Sequence, residues 1–274
     1  MILQSPSSLL GLNHGLTGLM NSLGISWREK WAEHPVRVRH VHNFDIILNE
    51  HDVYGPSPAI GITGTYEPHV TELFRRLLRR DSTVVDVGAN IGWYTLNAAT
   101  AVSVKGRIIA FEPEPNNFSL LSRSIALNSM NNVELIRESV SDRQGHQTLF
   151  LADGNIGGHS TTRAVGLNRI EVPSTTLDLS LAEFGVDGVH VLKVDVEGAE
   201  PQVVLGAAEQ LKRVDNMIME WNPEAWTNHL RTLDILFESF KVYEIFRSPF
   251  LIRRITRESV LGLPQTNLYF HKES

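Results

Sequence analysis

Residues 83–95 read TVVDVGANIGWYT and combine three local signals that decide the fold. A short β-branched run at Thr83–Val85 leads into Asp86 and predicts a buried strand. The glycines at 88 and 92 predict a tight turn, and the residues after it are typical of a helix. A parallel α/β sheet uses this strand, turn and helix to hold an anionic or nucleoside ligand at the carboxyl ends of its strands.

The alternation of strand and helix continues along the chain. Further strands are predicted at Arg107–Phe111, Val133–Val140, Val189–Val194, Asn216–Met219, Val242–Phe246 and Thr266–Phe270. Strands separated by helical segments predict an α/β fold with a Rossmann-like, doubly wound and mainly parallel sheet. We expect one domain over residues 61–274, preceded by an N-terminal extension of helical or strand character over residues 1–60.

Composition limits the classes of function. The chain has 274 residues, 42% hydrophobic and 20% charged, which is ordinary for a globular protein. Its net charge of −6 disfavours a nucleic-acid partner, and no apolar run approaches the about 18 residues of a membrane span. The chain contains no cysteine, which excludes disulfides and suits a reducing compartment, so we expect a cytoplasmic protein. A homo-oligomer stays open.

Acidic residues follow four of the apolar strands: Asp86, Glu112, Asp195 and Glu220. Because the carboxyl ends of parallel strands meet at one edge of a sheet, we expect these side chains to converge on one crevice. Helix capping is the alternative, and it explains one or two acids more readily than four.

The spacing of this crevice favours a sulfonium nucleoside over a dinucleotide. Glu112 lies 20 residues after Gly92, the usual offset for an acid that binds both ribose hydroxyls. We expect the glycines at 88 and 92 to let a ligand approach the backbone. The turn lacks the Gly-x-Gly-x-x-Gly spacing of dinucleotide sites, and Asp86 would repel a pyrophosphate but suit a cation. These features predict S-adenosylmethionine as cofactor, ahead of NAD.

Three motifs in order carry a family resemblance. They are Asp86-Val-Gly-Ala-Asn-Ile-Gly, Phe111-Glu112-Pro113, and the segment from Leu192 to Glu200 that reads LKVDVEGAE. The chain resembles the FkbM-type family of class I S-adenosylmethionine-dependent methyltransferases, and the first 60 residues lie outside the resemblance. It implies a seven-stranded sheet and methyl transfer, commonly onto a hydroxyl of a natural product, sugar or lipid-linked glycan.

The resemblance also implies roles for individual residues. Those expected to hold the methionine moiety are Asp86, Gly88, Asn90 and Gly92, with Tyr66 and Glu67 closing over that end. Glu112 is expected to bind the ribose, and Ser141 and Asp142 to lie near the adenine. Asp195 is expected to border the transferred methyl group.

An alkyl hydroxyl is a poor nucleophile, so a nearby base would help the reaction. The candidate catalytic residues are Asp195, Glu197, Glu220 and His159. His159 lies in a polar loop that could fold over the crevice, with an ordinary exposed histidine as the alternative. Glu197 is alternatively a cap of the next helix. For Lys193, inside a strand, we expect an ion pair with an adjacent carboxylate.

Two further features have competing interpretations. We expect no metal ion, although Asp195, Glu220 and Asn222 would offer three oxygen ligands of the kind that magnesium prefers. The aromatic residues Trp221, Trp226 and Phe250 either line an apolar acceptor pocket or belong to the core.

The main hypothesis is an O-methyltransferase of secondary-metabolite biosynthesis that acts on a small-molecule or glycan acceptor. The alternatives are N-methylation of a peptide or amide side chain, and a cofactor-binding module without turnover. The acceptor depends on loops at residues 50–65, 152–170 and 221–230, whose shape the sequence does not determine.

Overall fold

An eight-stranded sheet forms the centre of the protein in a computed structural model that describes residues 37–226, 229–246 and 252–272. In chain order the strands are β1 (Arg37–Val41), β2 (Phe44–Leu48), β3 (Thr83–Val87), β4 (Arg107–Phe111), β5 (Val133–Ile136), β6 (Ser139–Val140), β7 (Gly145–Leu151), β8 (Asn168–Thr175), β9 (Val189–Val194), β10 (Val214–Trp221), β11 (Lys241–Ile245), β12 (Ile252–Arg254) and β13 (Thr266–His271). The helices are α1 (Pro56–Thr63), α2 (Pro68–Leu77), α3 (Trp93–Ala101), α4 (Pro115–Leu127), α5 (Leu177–Glu183), α6 (Glu200–Leu205), α7 (His229–Ser239) and α8 (Arg257–Val260).

The strand order of the central sheet is β12-β11-β13-β10-β9-β3-β4-β5. The five strands from β10 to β5 in this order are parallel, whereas β13 runs antiparallel to both β10 and β11. This arrangement confirms the doubly wound, seven-stranded sheet of class I methyltransferases. The short strand β12 adds an eighth strand at the edge, which the sequence analysis did not predict.

Helices cover both faces of the sheet, which explains why its central strands have apolar residues at successive positions. Val84 of β3 packs in one hydrophobic cluster with residues of α2, α3 and α4, while Val85 packs in another with residues of α5, α6 and α7. A parallel strand buried on both faces needs apolar residues at successive positions. In the described part of the chain, no helix combines the length and apolar character needed to cross a membrane.

The hairpin of β1 and β2 packs directly on the helices beside the sheet. Phe44 and Ile46 are buried in the cluster that includes α3. The backbone amide of Ile47 donates to Ser124 Oγ of α4 at 3.0 Å, and that of Asp45 donates to Asn128 Oδ1 at 2.7 Å. The described residues before position 61 are therefore packed against the sheet domain.

The strand predicted over residues 133–140 is divided between two sheets. Its first part, β5, pairs with β4 in the central sheet, whereas β6 pairs with β8 in a separate sheet of order β6-β8-β7. The amide of Ser141 continues this second ladder by donating to the carbonyl of Thr175 at 2.8 Å. The apolar pattern runs through both parts, so the change of partner strand left no signal in the sequence.

Gly206, which follows α6, allows the small sheet to approach the core closely. A Cβ at this position would lie 1.9 Å from the backbone oxygen of Ser141, which cannot move without disturbing the strand. The carbonyl of Gly206 also accepts a hydrogen bond of 3.1 Å from the amide of Asp178. The absence of a side chain at Gly206 therefore fixes how the two sheets are joined.

We predict that Gly206→Ala lowers the free energy of unfolding by about 1–3 kcal/mol, because the added methyl group overlaps a backbone carbonyl. Urea denaturation would measure the change. Gly188→Ala is the matched control, since its Cβ would meet only the Arg213 carbonyl at 3.5 Å. Equal midpoints for the two variants would contradict the proposed contact.

Candidate active site

Two cavities lie side by side at the carboxyl ends of β3, β4 and β9. The first is lined among others by Phe111, Glu112, Glu138, Val140, His159 and Thr161. The second is lined among others by Pro56, Tyr66, Asp86, Ile91, Trp93 and Tyr94. Both are lined by a common set of residues, here called the shared wall: Gly88, Asn90, Gly157, Asp195 and Glu197. A ligand with a nucleoside at one end and an amino acid at the other would place its middle at the shared wall.

The turn between β3 and α3 is built from residues in left-handed conformations, with φ of 84° at Gly88, 52° at Asn90 and 97° at Gly92. A Cβ on Gly88 would lie 1.9 Å from the backbone oxygen of Asp195, and one on Gly92 would lie 2.2 Å from Leu121 Cδ1. Both glycines are therefore required by packing against the protein itself. This differs from the expectation that their missing side chains make space for a ligand, although Gly88 does line both cavities.

Asp86 is an acidic residue that lines the second cavity and not the first. It is 1% exposed, and its Oδ2 accepts a hydrogen bond of 2.6 Å from Thr95 Oγ1 on α3. Burial raises the pKa of Asp86 to about 6. At pH 7 the ionised form of Asp86 therefore predominates, and its negative charge suits a cationic group at this end of the crevice.

Glu112 lies at the end of β4 in the first cavity and joins two turns. Its Oε2 accepts from the backbone amide of Asn90 at 2.8 Å, and its Oε1 accepts from that of Glu114 at 2.9 Å. Burial raises the pKa of Glu112 to about 8. Each carboxylate oxygen can accept more than one hydrogen bond, so this side chain keeps capacity for a pair of ligand hydroxyls.

Asn90 connects the glycine turn to a loop that the sequence analysis did not assign to the cofactor site. Its Nδ2 donates to the carbonyl of Ile156 at 2.7 Å, and Asn117 Nδ2 donates to the same oxygen at 3.3 Å. Asp52, which is fully buried, accepts from the amide of Ile156 at 3.4 Å. These contacts hold Gly157 on the shared wall.

The side chains expected near the adenine are displaced from the first cavity. Glu138, Ser139 and Val140 line this cavity, whereas Ser141 and Asp142 follow them into the small sheet. The reason is the change of partner strand after β5, which turns the chain earlier than the predicted strand did.

Tyr66 and Glu67 have different positions. Tyr66 lines the second cavity. Glu67 has a left-handed backbone with φ of 42°, and its carboxylate accepts from Tyr94 Oη at 2.7 Å and from Asn267 Nδ2 at 3.0 Å. Glu67 therefore holds the start of α2 to the rest of the site, and Tyr66 is the residue that faces the ligand space.

Lys193 and Asp195 form the expected ion pair. Lys193 is 0% exposed, and its Nζ donates to Asp195 Oδ2 at 2.8 Å. Burial alone would lower the pKa of Lys193, but the carboxylates of Asp195 and Glu67 raise it above its ordinary value. The ammonium therefore stays charged and holds the Asp195 carboxylate on the shared wall.

Glu197 occupies a strained position that Glu200 supports. Glu197 has a left-handed φ of 55°, and burial raises its pKa to about 8. Glu200 accepts from the amides of Val196 at 2.9 Å and Gly198 at 3.0 Å, and Ser160 Oγ donates to the Glu197 carbonyl at 2.8 Å. The side chain of Glu200 thus binds the backbone amides of the turn before α6, and Glu197 does not cap that helix. An acid two residues after Gly198 is the sequence signal that could have identified Glu200.

The acidic cluster after β9 and β10 contains Glu200 in place of Asn222, which was the third oxygen ligand of the alternative magnesium site. Carboxylate oxygens of Asp195, Glu200 and Glu220 lie within 4.8 Å of one another, while Asn222 Oδ1 accepts two backbone amides of its own turn. Glu200 accepts three N–H groups, and Lys193 is bonded to Asp195. Burial raises the pKa of Glu220 well above its usual value. These contacts already satisfy much of the cluster without an ion.

His159 lines the first cavity and lies outside the shared wall. Its Nδ1 accepts from the amide of Ala152 at 2.9 Å, and burial lowers its pKa. Its position fits contact with the nucleoside end of a ligand. Of the four candidate catalytic residues, Asp195 and Glu197 are the ones that face both cavities.

The two tryptophans after β10 belong to the core. Trp221 is 1% exposed and Trp226 is 4% exposed, and their rings pack edge to face at 4.9 Å. Trp221 Nε1 donates to the Leu263 carbonyl at 3.2 Å, and Trp226 Nε1 donates to Glu200 Oε2 at 2.9 Å. The third aromatic of the predicted acceptor pocket, Phe250, lies outside the described residues.

The polar and charged groups that line the two cavities fit a sulfonium nucleoside. Glu112 supplies carboxylate oxygens at the nucleoside end, and Asp86 supplies a negative charge at the amino-acid end. A helix N-terminus follows the glycine turn, as nucleoside sites of parallel sheets require. Asp195 provides a further carboxylate between the two ends.

Comparison with known proteins agrees with this geometry. Methyltransferase sdnD of Sordaria araneosa is 30% identical over 174 residues, which cover 51% of this chain and 66% of that protein. Methyltransferase 1 of Beauveria bassiana is 31% identical over 161 residues, covering 51% and 64%. Hexuronic acid methyltransferase AglP of Haloferax volcanii is 27% identical over 154 residues, covering 56% and 62%. Each match spans slightly less than two thirds of the relative's length.

The sequence profile of the methyltransferase FkbM domain matches residues 86–245, which is more than half of the chain. The matched range contains the glycine turn, Glu112, and the segment from Lys193 to Glu200. The chain therefore belongs to the FkbM family of S-adenosylmethionine-dependent methyltransferases.

Proposed function

We propose that this protein transfers a methyl group from S-adenosylmethionine to a hydroxyl oxygen of a natural product, sugar or glycolipid. The observation that carries the proposal is the meeting of the two cavities at the carboxylates of Asp195 and Glu197. The name of the relative AglP, a hexuronic acid methyltransferase, supports a glycan or small-molecule acceptor.

Residues of both cavities would hold the cofactor. Glu112 would bind the ribose, and Asp86 and Tyr66 would surround the methionine end. When bound, S-adenosylmethionine supplies an electrophilic methyl group whose bonding electron pair stays on the sulfur. The remaining requirement is to hold an acceptor oxygen close to that methyl group and in line with the bond that breaks.

Asp195 is the residue best placed to accept a proton from the acceptor. Lys193 holds the Asp195 carboxylate on the shared wall. The Asp195 side chain is 25% exposed, so a ligand can reach it. As the new bond between oxygen and carbon forms, the hydroxyl proton would pass to this carboxylate. Glu197, with its raised pKa, would act as a hydrogen-bond partner of the acceptor near neutral pH.

We predict saturable binding of S-adenosylmethionine and S-adenosylhomocysteine by isothermal titration calorimetry, because both contain the nucleoside and amino-acid groups that the cavities fit. NAD is the control ligand, since the turn lacks a pyrophosphate site. Binding of NAD without binding of the other two would refute the cofactor assignment. Mass spectrometry with an acceptor library would then separate an enzyme from a binding module.

We predict that Glu112→Gln weakens S-adenosylhomocysteine binding by about tenfold or more, because the amide replaces one carboxyl oxygen that accepts hydrogen bonds with an NH₂ group that cannot. The amide keeps the side-chain volume, so the fold should be retained, which circular dichroism would check. Glu171→Ala, at an exposed position of β8, is the matched control. Unchanged affinity in Glu112→Gln would remove this residue from the ribose site.

We predict that EDTA leaves S-adenosylhomocysteine affinity and methyl transfer unchanged, because Lys193 already pairs with Asp195 and two backbone amides already bind Glu200, which leaves too few free carboxylates for an ion. Titration with magnesium chloride should give no saturable heat. A strong magnesium signal that disappears in Glu220→Gln would instead establish a metal site at this cluster.

A further inference from the structure

Arg163 has hydrogen-bond donors that the described protein does not use. Its Nε is buried without a partner, while its side chain as a whole is 39% exposed. Its nearest acid is Glu197, whose Oε2 lies 3.8 Å from Nη2, too far for a hydrogen bond. An arginine offers five donors in a planar fork, so a buried and unused donor indicates a missing partner.

Backbone contacts hold Arg163 at this place. Ser160 is 0% exposed, and its Oγ accepts from the amide of Arg163 at 3.3 Å while donating to the Glu197 carbonyl at 2.8 Å. Arg163 Nε lies next to Gly198, since a Cβ on this glycine would be in van der Waals contact with it at 3.5 Å. The backbone of Arg163 is therefore held close to Glu197, which lines both cavities, and the guanidinium lies 3.8 Å from the Glu197 carboxylate.

A second unused polar atom belongs to Glu220, in the acidic cluster with Asp195 and Glu200. Glu220 Oε2 is buried and has no hydrogen-bond partner among the described residues, whereas its Oε1 accepts from Gln265 at 2.7 Å. Carboxylate oxygens of Glu220 and Asp195 lie within 4.8 Å of each other, and Asp195 lines the shared wall together with Glu197. The same region thus offers an unused cationic fork and an unused carboxyl oxygen.

We propose that Arg163 and Glu220 form the acceptor subsite, and that the acceptor carries a carboxylate beside the hydroxyl that is methylated. A planar carboxylate matches the arginine fork in two parallel hydrogen bonds. A neighbouring hydroxyl would contact Glu220 Oε2. The inference rests on the proposed methyl transfer and names its substrate class.

The charges around the site are compatible with an anionic acceptor. Lys193 neutralises Asp195 through their 2.8 Å contact. Glu200 is bonded to backbone amides and to Trp226. Burial favours the neutral form of Glu197, which leaves the Arg163 guanidinium without a full opposite charge. An acceptor carboxylate would supply that charge and also the hydrogen bonds that Nε lacks.

The test measures binding of acceptor probes to the protein saturated with S-adenosylhomocysteine. Methyl β-D-glucuronide and methyl β-D-glucoside differ only at C6, where the first has a carboxylate and the second a hydroxymethyl group, and they form one pair for calorimetry. Mandelate and mandelamide form a second pair, which separates a uronic acid from another hydroxy acid. We expect the carboxylate member of at least one pair to bind at least about tenfold more tightly than its neutral partner.

Variants of Arg163 and Glu220 test whether the preference for the carboxylate probe depends on these two residues. We expect Arg163→Met to abolish the preference and Arg163→Lys to keep part of it, because lysine keeps the charge but loses the fork. Glu220→Gln should weaken both members of the pair without changing their ratio. Arg169→Met, an exposed arginine of β8, should match the wild type.

Two results would overturn the inference: no preference for either carboxylate in the wild-type protein, or an unchanged preference in Arg163→Met. Failure of the proposed function is a separate outcome, since it would appear as loss of S-adenosylhomocysteine binding before any acceptor probe is added. Circular dichroism and S-adenosylhomocysteine affinity of each variant would show that its fold and cofactor site are intact.

Discussion

The close approach of two backbones at Gly88 and Asp195 is the constraint on which the site depends. The amide of Asp195 donates to the carbonyl of Val87 at 3.0 Å, and a Cβ on Gly88 would overlap the Asp195 oxygen. This contact extends the pairing of β3 and β9 beyond the last residues of the strands. It brings the glycine turn and the loop after β9 together, so that both can form the wall shared by the two cavities.

Charge balance beneath this wall follows from the same approach. Asp86 on β3 and Asp195 after β9 lie near the one buried lysine among the described residues, Lys193. Burying several carboxylates together is costly unless a cation is paired with them. The ammonium, with the ring of Tyr94 at 5.0 Å and the carboxylate of Glu67 nearby, makes an acidic crevice compatible with a stable fold.

Loops from distant parts of the chain complete the site through hydrogen bonds to its backbone. Asn90 binds the carbonyl of Ile156, and Ser160 binds that of Glu197. Both bonds attach the connection between β7 and β8 to the turns after β3 and β9. This connection therefore closes the cofactor space and also presents Arg163 beside it, which links cofactor binding to the proposed choice of acceptor.

The sequence alone determined the doubly wound, mainly parallel type of sheet, the glycine turn and the acids at the strand ends. These features depend on local periodicity and on offsets within one strand–turn–helix unit. The pair of Lys193 and Asp195 was also predictable, since the two residues point to the same side of one strand. The split of β5 from β6, the clamp made by Glu200, and the positions of Ser141 and Asp142 were decided by tertiary structure. Each depends on which distant strand or amide becomes the hydrogen-bond partner, and residue type does not encode that choice. The proposed acceptor subsite follows the same rule, because Arg163 reaches Glu197, and Glu220 reaches Asp195, only when the two sheets and their loops are packed together.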